Sequence, residues 1–167
     1  MNHGGVVLFR RSLYAPVVTF LEESPIAERI WARVETDLGP FLLGLWYRPP
    51  NSSDDHVNSL ESEFERLCDG YVGALLVGDF NIHQRRWLRY SSSNTALGER
   101  IQTFAAKHSL TQFVKDPTHV DGNLLDLVLS SLPFATKSTV TPRIADHNGV
   151  LTQIDVPAIT ESVIQRE

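Results

Sequence analysis

The sequence predicts a single α/β domain, and two patterns support this prediction. The first is a run of apolar and small residues over 72–78, which is typical of a buried strand and ends at the polar residues Asp79 and Asn81. The second is a pair of segments whose apolar residues recur every three or four positions, as they do along one face of a helix. A chain of 167 residues with 42% hydrophobic content is large enough to bury one core.

Composition restricts the function without defining it. A net charge of -5 argues against a general binder of polyanions, but it leaves open an enzyme that recruits a divalent cation to bind phosphate. No apolar run has membrane-spanning length and the first residues lack the features of a signal peptide, so we expect an intracellular protein without a membrane partner. The single Cys68 excludes an internal disulfide.

The first third of the chain predicts two β-hairpins. Apolar, β-branched runs at 6–9 and 14–21 are separated by a polar turn and predict the first hairpin. The segment 28–36 alternates between apolar and polar residues, and a turn at 37–39 joins it to the apolar run 40–47. These two segments predict the second hairpin.

Two helices follow from the three- and four-residue spacing. Ser52 to Asp55 offer N-caps for the first helix, and Gly70 ends it. Its predicted core residues are Val57, Leu60, Phe64 and Leu67, and its predicted solvent-facing residues are Glu61, Glu63 and Glu65. The second helix is predicted over 96–108, with its buried face formed by Leu97, Ile101, Phe104 and Ala105.

The remaining segments are predicted to be short strands and one long loop. The strands are expected at 110–114, 123–130, 138–141 and 150–156. The loop 83–94 mixes basic and aromatic residues. It could lie on a nucleic-acid backbone, or it could be an ordinary solvated surface loop.

Polar residues at strand ends or within apolar strands are the main functional signal. Asp79 at the mouth of a buried strand calls for a partner such as a metal ion, a cationic side chain or backbone donors, although an Asp and an Asn after a strand also form ordinary turns. Asp126 is enclosed by leucines and valine and must be paired, either in a structural ion pair or in a functional site. Asp146 and His147 precede another strand, where they could also form a turn.

Taken together, these residues favour one shared explanation. Three Asp, one Asn and one His lie at the ends or centres of apolar strands, far apart in sequence. A metal-assisted hydrolytic site explains all of them at once. We therefore expect their side chains to converge on one cleft, and we expect Asp126 to hydrogen-bond to His147 because each needs a partner.

The same residues resemble a known family. Gly78-Asp-Phe-Asn81, Leu125-Asp-Leu127 and Asp146-His147 resemble, in order and spacing, three motifs of the endonuclease/exonuclease/phosphatase superfamily, which includes pancreatic deoxyribonuclease and the abasic-site endonucleases. Tyr47 followed by Arg48-Pro-Pro50 resembles its strand with a phosphate-contacting Tyr. The resemblance spans residues 4–156.

Further details are most similar to one branch of that superfamily. They are the Tyr47-Arg-Pro-Pro50 segment, His83 and Trp87 after Asn81, and Pro117-Thr-His119 before the Asp126 strand. They resemble the endonuclease domain of non-LTR retrotransposons, which precedes a reverse transcriptase in the parent element. This resemblance implies a divalent-metal-dependent phosphodiester hydrolase that nicks DNA, with Mg²⁺ or Mn²⁺ as cofactor.

The resemblance also implies a fold and its boundaries. The implied fold is a four-layer α/β/β/α sandwich of the deoxyribonuclease-like type, in which two sheets pack together between helices. Residues 1–157 would form the domain and 158–167 a tail. We expect the chain to begin after the first strand-helix-strand segment of the family.

Residue roles carry over position by position. By resemblance, Asp79 aligns or deprotonates the attacking water, and Asn81 orients that water or a phosphate oxygen. His147 stabilises the developing charge, and Asp126 fixes the imidazole of His147. Asp146 and Asp79 would lie on the metal side. All five are the implied catalytic residues.

The implied phosphate contacts are Tyr47, Asn51 and His83, although the residues around His83 favour an ordinary loop histidine over a phosphate contact. The sequence departs from the family pattern in two ways. No residue can be assigned the metal-binding Glu of the N-terminal segment, and Ala145 replaces the usual Ser before Asp146-His147.

These departures leave two alternatives open. One is a catalytically impaired remnant that binds Mg²⁺ weakly, and the other is a phosphatase of the same fold that acts on inositol phosphates or sphingomyelin. A missing N-terminal segment, or self-association, would then cover exposed strands. If the protein acts on chromosomal DNA, we expect it in the nucleus.

Overall fold

The computed structural model describes residues 5–9 and 18–156, and the predicted tail 158–167 lies outside these ranges. The described part contains eight strands and two helices. The strands are β1 (Val18–Glu23), β2 (Glu28–Val34), β3 (Phe41–Tyr47), β4 (Ala74–Asp79), β5 (Thr111–Gln112), β6 (Asp126–Ser130), β7 (Ala135–Arg143) and β8 (Asn148–Asp155). The helices are α1 (Asp55–Leu67) and α2 (Ala96–Lys107). No helix in these ranges is long and apolar enough to cross a membrane.

Six strands form one mixed sheet in the order β1-β2-β3-β4-β6-β5, and β7 pairs with β8 in a second sheet. The pairing of β3 with β4 is parallel and the other pairings are antiparallel. Helix α1 connects β3 to β4, because two parallel neighbours need a crossover connection rather than a tight turn. The α/β class predicted from the sequence is confirmed.

The two helices cover one face of the large sheet. The Trp31 ring lies 6.2 Å from that of Phe64 on α1, and the Phe64 ring lies 5.3 Å, edge-on, from that of Phe104 on α2. Trp31, Leu42 and Leu76 point to this side and are almost fully buried. Both predicted helices are therefore confirmed, and their shared apolar surface forms the main core.

The β7–β8 hairpin lies on the other face. Its Val140, Val150 and Ile154 side chains pack against the core. Leu43 and Val77 on this face of the large sheet remain half-buried. The described residues thus form a helical layer, the large sheet and a small second sheet, which are three of the four layers that the sequence analysis predicts.

One predicted solvent residue is buried instead. Glu63 accepts hydrogen bonds from Arg29 Nε at 2.9 Å, Trp31 Nε1 at 2.7 Å and Ser24 Oγ at 2.6 Å. Burial alone would raise the pKa of the Glu63 carboxyl, but these hydrogen bonds outweigh burial and lower it. The prediction was wrong because Glu63 lies on the same helix face as Leu60. Its burial is favourable only because Arg29, on the strand facing the helix, pairs with it. Glu61 and Glu65 remain solvated on the outer side.

The hairpin predictions have mixed outcomes. The second hairpin is confirmed, since β2 pairs with β3 from Glu28 opposite Tyr47 to Val34 opposite Phe41. The first was wrong in its pairing. Residues 6–9 form no strand, 10–17 lie outside the described ranges, and β1 pairs with β2. A turn centred on Ser24, whose Oγ accepts the Ala27 N–H at 3.2 Å, brings β1 and β2 together.

The Glu63 cluster gives a test of the core. Replacing Glu63 with Ala leaves the guanidinium of Arg29, which is 1% exposed, without its anionic partner. Loss of one member of a buried ion pair costs about 3–5 kcal/mol. We expect Glu63→Ala to lower the free energy of unfolding by that amount in urea titrations.

Glu61→Ala is the matched control on the same helix. The Glu61 carboxylate is 45% exposed and shares Lys107 with Glu65, so its loss should cost less than about 1 kcal/mol. Equal effects of the two substitutions would contradict the assignment of Glu63 to the core.

Candidate active site

Four polar side chains form one row across the open end of the large sheet. The strand registers place Glu28 opposite Tyr47, Tyr47 beside Asp79, and Asp79 opposite Asp126. Directly opposed residues on neighbouring strands point to the same face of a sheet. The row therefore spans β2, β3, β4 and β6 on the face that the helices leave uncovered.

The backbone around Asp79 is adapted to this position. A Cβ on Gly78 would lie 1.9 Å from the Trp46 carbonyl oxygen, so only glycine permits the close approach of β4 to β3 there. Asn81 adopts a left-handed conformation with φ 48°. Its backbone N–H donates to Asp79 Oδ1 at 3.1 Å and its Nδ2 donates to Oδ2 at 2.7 Å. Both carboxylate oxygens are thereby fixed.

Arg48 stabilises the turn that contains Asp79 and Asn81. Its Nη1 donates to the Asn81 carbonyl at 3.0 Å, the Asn81 Nδ2 donates back to the Arg48 carbonyl at 3.0 Å, and the Arg48 N–H donates to the Asp79 carbonyl at 2.8 Å. The Arg48 residue is 2% exposed. The sequence analysis included Arg48 in a motif but gave it no role. A cationic residue directly after an apolar strand was the pattern that could have indicated this role.

His147 lies between two carboxylates of the row. Its Nδ1 is 2.7 Å from Asp126 Oδ2, which is the predicted hydrogen bond, and its Nε2 is 3.9 Å from Asp79 Oδ2. Because a carboxylate accepts, Nδ1 carries the proton and Nε2 faces the cleft. Buried Thr118 positions Asp126, since its Oγ1 accepts the Leu125 and Asp126 N–H groups at 3.1 and 3.0 Å.

Electrostatics in the row are strongly perturbed. Burial, together with the negative charge of Asp126, raises the pKa of Asp79 to about 6, although His147 and the hydrogen bonds from Asn81 act in the opposite direction. Burial opposes a charge on His147, but the hydrogen bond to Asp126 and the neighbouring carboxylates outweigh it and raise the His147 pKa. The cluster thus holds excess negative charge in a partly buried site.

Tyr47 and Glu28 belong to the same electrostatic unit. Burial and the charges of Asp79, Glu28 and Asp146 raise the pKa of the Tyr47 hydroxyl. The buried Oε2 of Glu28 has no hydrogen-bond partner among the described residues. The sequence analysis missed Glu28, because nothing in its local pattern distinguishes it from a charged residue at a strand end.

Asp146 and His119 complete the cleft beside His147. Asp146 is exposed at the β7–β8 turn, and one donor atom from each of His119, Asp146 and His147 lies within 4.8 Å of the others. The predicted convergence of Asp79, Asn81, Asp126, Asp146 and His147 is therefore present. His119 entered the sequence analysis only within the Pro117-Thr-His119 segment, without a role.

The comparisons with known proteins decide the family. The profile of a family described as endonuclease-reverse transcriptase matches residues 41–151, which include Tyr47, Asp79, Asp126 and His147. The chain belongs to this endonuclease-reverse transcriptase family. No curated protein matches the chain.

Solved structures agree at the level of the fold. The endonuclease domain of TRAS1, a telomere-specific non-LTR retrotransposon, is similar with a TM-score of 0.66 and 15% identity, over 84% of this chain and 68% of that chain. An endonuclease/exonuclease/phosphatase family protein from Leptotrichia buccalis C-1013-b has a TM-score of 0.59 and 16% identity, over 86% and 62%. A conserved protein of unknown function from Enterococcus faecalis V583 has a TM-score of 0.55 and 15% identity, over 84% of this chain and 65% of that chain.

These structural matches show the deoxyribonuclease-like fold. The family match supports a nuclease-type hydrolase. The chain spans about two thirds of the length of each of these structures.

Two of the predicted phosphate contacts, Asn51 and His83, form no hydrogen bond or ion pair with the row of Glu28, Tyr47, Asp79 and Asp126 in the described ranges. Asn51 is exposed in the turn after β3. The His83 Nδ1 lies 3.3 Å from Ser92 Oγ, and burial lowers its pKa. His83 instead helps to close the loop 83–94, which the Gln84–Asn94 bridge folds back on itself.

The raised pKa of Asp79 generates a stability prediction for the metal-free protein. A folded-state pKa of about 6, against 3.8, means that ionised Asp79 destabilises the fold as the pH rises through 6, by about 3 kcal/mol at most. Asp79→Asn removes this penalty but loses one hydrogen bond from Asn81, worth about 1 kcal/mol. We expect the variant to be more stable by about 1–2 kcal/mol at pH 8.

The advantage should vanish near pH 4, because Asp79 is then protonated in the folded protein. Thermal unfolding with a chelator at both pH values measures the difference, and Asp116→Asn on the exposed surface is the control. A variant no more stable than the wild type at pH 8 would show that Asp79 is ionised without cost.

Proposed function

We propose that this protein is a divalent-metal-dependent phosphodiester hydrolase that nicks DNA, as the endonuclease of a non-LTR retrotransposon would. The observation that carries the proposal is the placement of His147 between Asp126 and Asp79, with Asn81 bound to the Asp79 carboxylate. An imidazole oriented by one carboxylate and facing another acidic group is suited to phosphate chemistry. The family and the fold support the same reaction class.

In this proposal Asp79 and Asn81 position the water. The Asp79 carboxylate accepts or aligns a proton of the attacking water, and its pKa of about 6 keeps it ionised at neutral pH while leaving it basic enough for proton transfer. Asn81 fixes both Asp79 oxygens through its backbone N–H and its Nδ2. Arg48 fixes Asn81 in turn, so the pair is preorganised for its task.

His147 stabilises the charge that develops on the phosphate. Its Nδ1 donates to Asp126, which selects the tautomer and the ring angle, and the raised pKa favours the cationic form. The Tyr47 hydroxyl lies in the same row and would donate to a phosphate oxygen. Asn51 and His83, which lie outside the row, would contact the DNA backbone further along.

The donor set fits Mg²⁺ or Mn²⁺. Hard divalent cations prefer carboxylate oxygens, and burial together with the nearby charge of Asp126 raises the Asp79 pKa, a penalty that a bound cation would relieve. We propose Asp79 and Asp146 as metal-side residues and Glu28, with its unpartnered oxygen, as a further carboxylate available to the site. When bound, the cation polarises the scissile phosphate and offsets its charge.

The proposed substrate is DNA, and the proposed partner is the reverse transcriptase of a parent element. Arg85, Arg86 and Arg89 are exposed on the loop that follows Asn81, where they could meet a phosphate backbone despite the net charge of -5. A protein that cuts chromosomal DNA would act in the nucleus.

Nicking of a supercoiled plasmid tests the proposal. With Mg²⁺ or Mn²⁺ we expect conversion to open circles, lost with a chelator. His147→Ala and Asp79→Ala should each reduce the rate by at least about 10²–10⁴-fold, the range for loss of a general acid or base. Asp126→Asn should act through the orientation of His147 and cost less than His147→Ala.

The exposed Asp116→Asn variant is the matched control and should nick at the wild-type rate. A folded wild-type chain that cleaves no DNA with either metal would overturn the proposal in favour of an inactive remnant. Release of phosphate from inositol phosphates without nicking would instead indicate the phosphatase alternative.

A further inference from the structure

We propose that His119, Asp146 and His147 form a second metal site in the cleft, which takes Zn²⁺ rather than Mg²⁺. One donor atom from each of these residues lies within 4.8 Å of the others. The set offers two imidazole nitrogens and one carboxylate oxygen. Such a set is typical of zinc sites, whereas Mg²⁺ is bound almost entirely by oxygen. The donor set therefore differs in chemistry from the oxygen-rich Asp79 row, although it shares Asp146 with the proposed Mg²⁺ site.

A carboxylate lies near the Nδ1 of each histidine. His147 Nδ1 lies 2.7 Å from Asp126 Oδ2, which leaves Nε2 free to bind a metal. His119 Nδ1 accepts a hydrogen bond from the Asp121 backbone N–H at 3.2 Å, and Asp121 Oδ2 lies 3.4 Å from the same nitrogen. A metal on Nε2 would require the proton on Nδ1, which would then exchange the backbone hydrogen bond for one to the Asp121 carboxylate. Carboxylate support of this kind orients metal-binding histidines and raises their basicity.

The backbone holds the ligands together before any metal arrives. His119 and His147 form an isolated antiparallel bridge, and their rings meet edge to face with centroids 4.9 Å apart. The Val120 N–H donates to the Asp146 carbonyl at 2.8 Å, and the Asn148 N–H donates to the Thr118 carbonyl at 2.7 Å. These contacts fix the two segments that carry the ligands, so binding needs little ordering.

Exposure of Asp146 lets a metal enter from solvent, and a water would complete the tetrahedral coordination. The bound Zn²⁺ would occupy His147 Nε2, the nitrogen that faces the proposed substrate phosphate. Zn²⁺ should therefore inhibit the Mg²⁺-dependent reaction. This inhibition rests on the proposed function, whereas binding of Zn²⁺ does not.

A second cluster serves as an internal comparison. Glu61, Glu65 and His108 also bring three donor atoms within 4.8 Å. The Lys107 ammonium already lies between the two carboxylates, at 2.7 Å from Glu61 and 2.6 Å from Glu65. A metal there would have to displace this cation, so we expect little binding at this position.

Titration calorimetry with Zn²⁺ and the purified full chain, free of any histidine tag and of Mg²⁺, tests the site. We expect one Zn²⁺ per chain, and with Co²⁺ the absorption bands of a tetrahedral complex. His119→Gln should weaken binding by more than the roughly 10–100-fold that loss of an outer partner costs. Asp121→Asn should fall within that range, and His108→Gln should bind as the wild type does.

Circular dichroism and thermal unfolding confirm that each variant is folded, and Asp121→Asn tests the site without removal of a ligand. Unchanged Zn²⁺ affinity in both His119→Gln and Asp121→Asn would overturn the proposal. So would loss of binding in His108→Gln, which would place the metal on the helices.

Inhibition is measured separately in the nicking assay. Zn²⁺ should inhibit the His108→Gln variant as it inhibits the wild type. If Zn²⁺ binds as expected but nicking is unchanged, the proposal that Zn²⁺ blocks His147 is wrong. The proposed Zn²⁺-binding site would still stand.

Discussion

The register between β3 and β4 is the constraint on which the site depends. It places Tyr47 beside Asp79, and the antiparallel register of β4 with β6 then sets Asp126 opposite Asp79. A slip of one residue would send alternate side chains to the helical face, where these carboxylates would enter the apolar core. Gly78 permits this register, since any side chain there would strike the β3 backbone. The chemistry of the row is thus a consequence of strand pairing.

Stability and function oppose each other at this row. Asp79 is 13% exposed and close to Asp126, which makes its negative charge unfavourable in the metal-free protein. The fold tolerates the charge because the helical side supplies a large apolar core and a satisfied ion pair between Arg29 and Glu63. An enzyme that uses a cation gains from such a row, because the crowding that destabilises the free protein increases the attraction for the metal.

Two sets of donors of different chemical character lie near His147. One set comprises the oxygen donors of the Asp79 row, and the other comprises His119 with Asp146. The imidazole is shared by both, because its Nδ1 is engaged by Asp126 and its Nε2 faces the cleft. This sharing connects the proposed hydrolysis with the proposed zinc site, since one nitrogen serves either a phosphate or a soft metal. The β7–β8 hairpin, which carries His147, therefore joins the second sheet to the chemistry of the first.

The sequence by itself determined both helices, the second hairpin, the buried strand before Asp79 and five residues of the candidate site. Apolar periodicity located α1, α2 and β4, and polar residues in apolar surroundings marked the cluster from Asp79 to His147, because burial makes an unpaired charge expensive wherever it occurs. Only the tertiary structure decided the partners: Glu28 in the row, Arg48 beneath Asn81, His119 beside His147, and Glu63 in the core. It also paired β1 with β2, where local pattern predicted an earlier hairpin. Periodicity reports which face of an element is buried, whereas the residues that meet across strands depend on long-range register, which no local window contains.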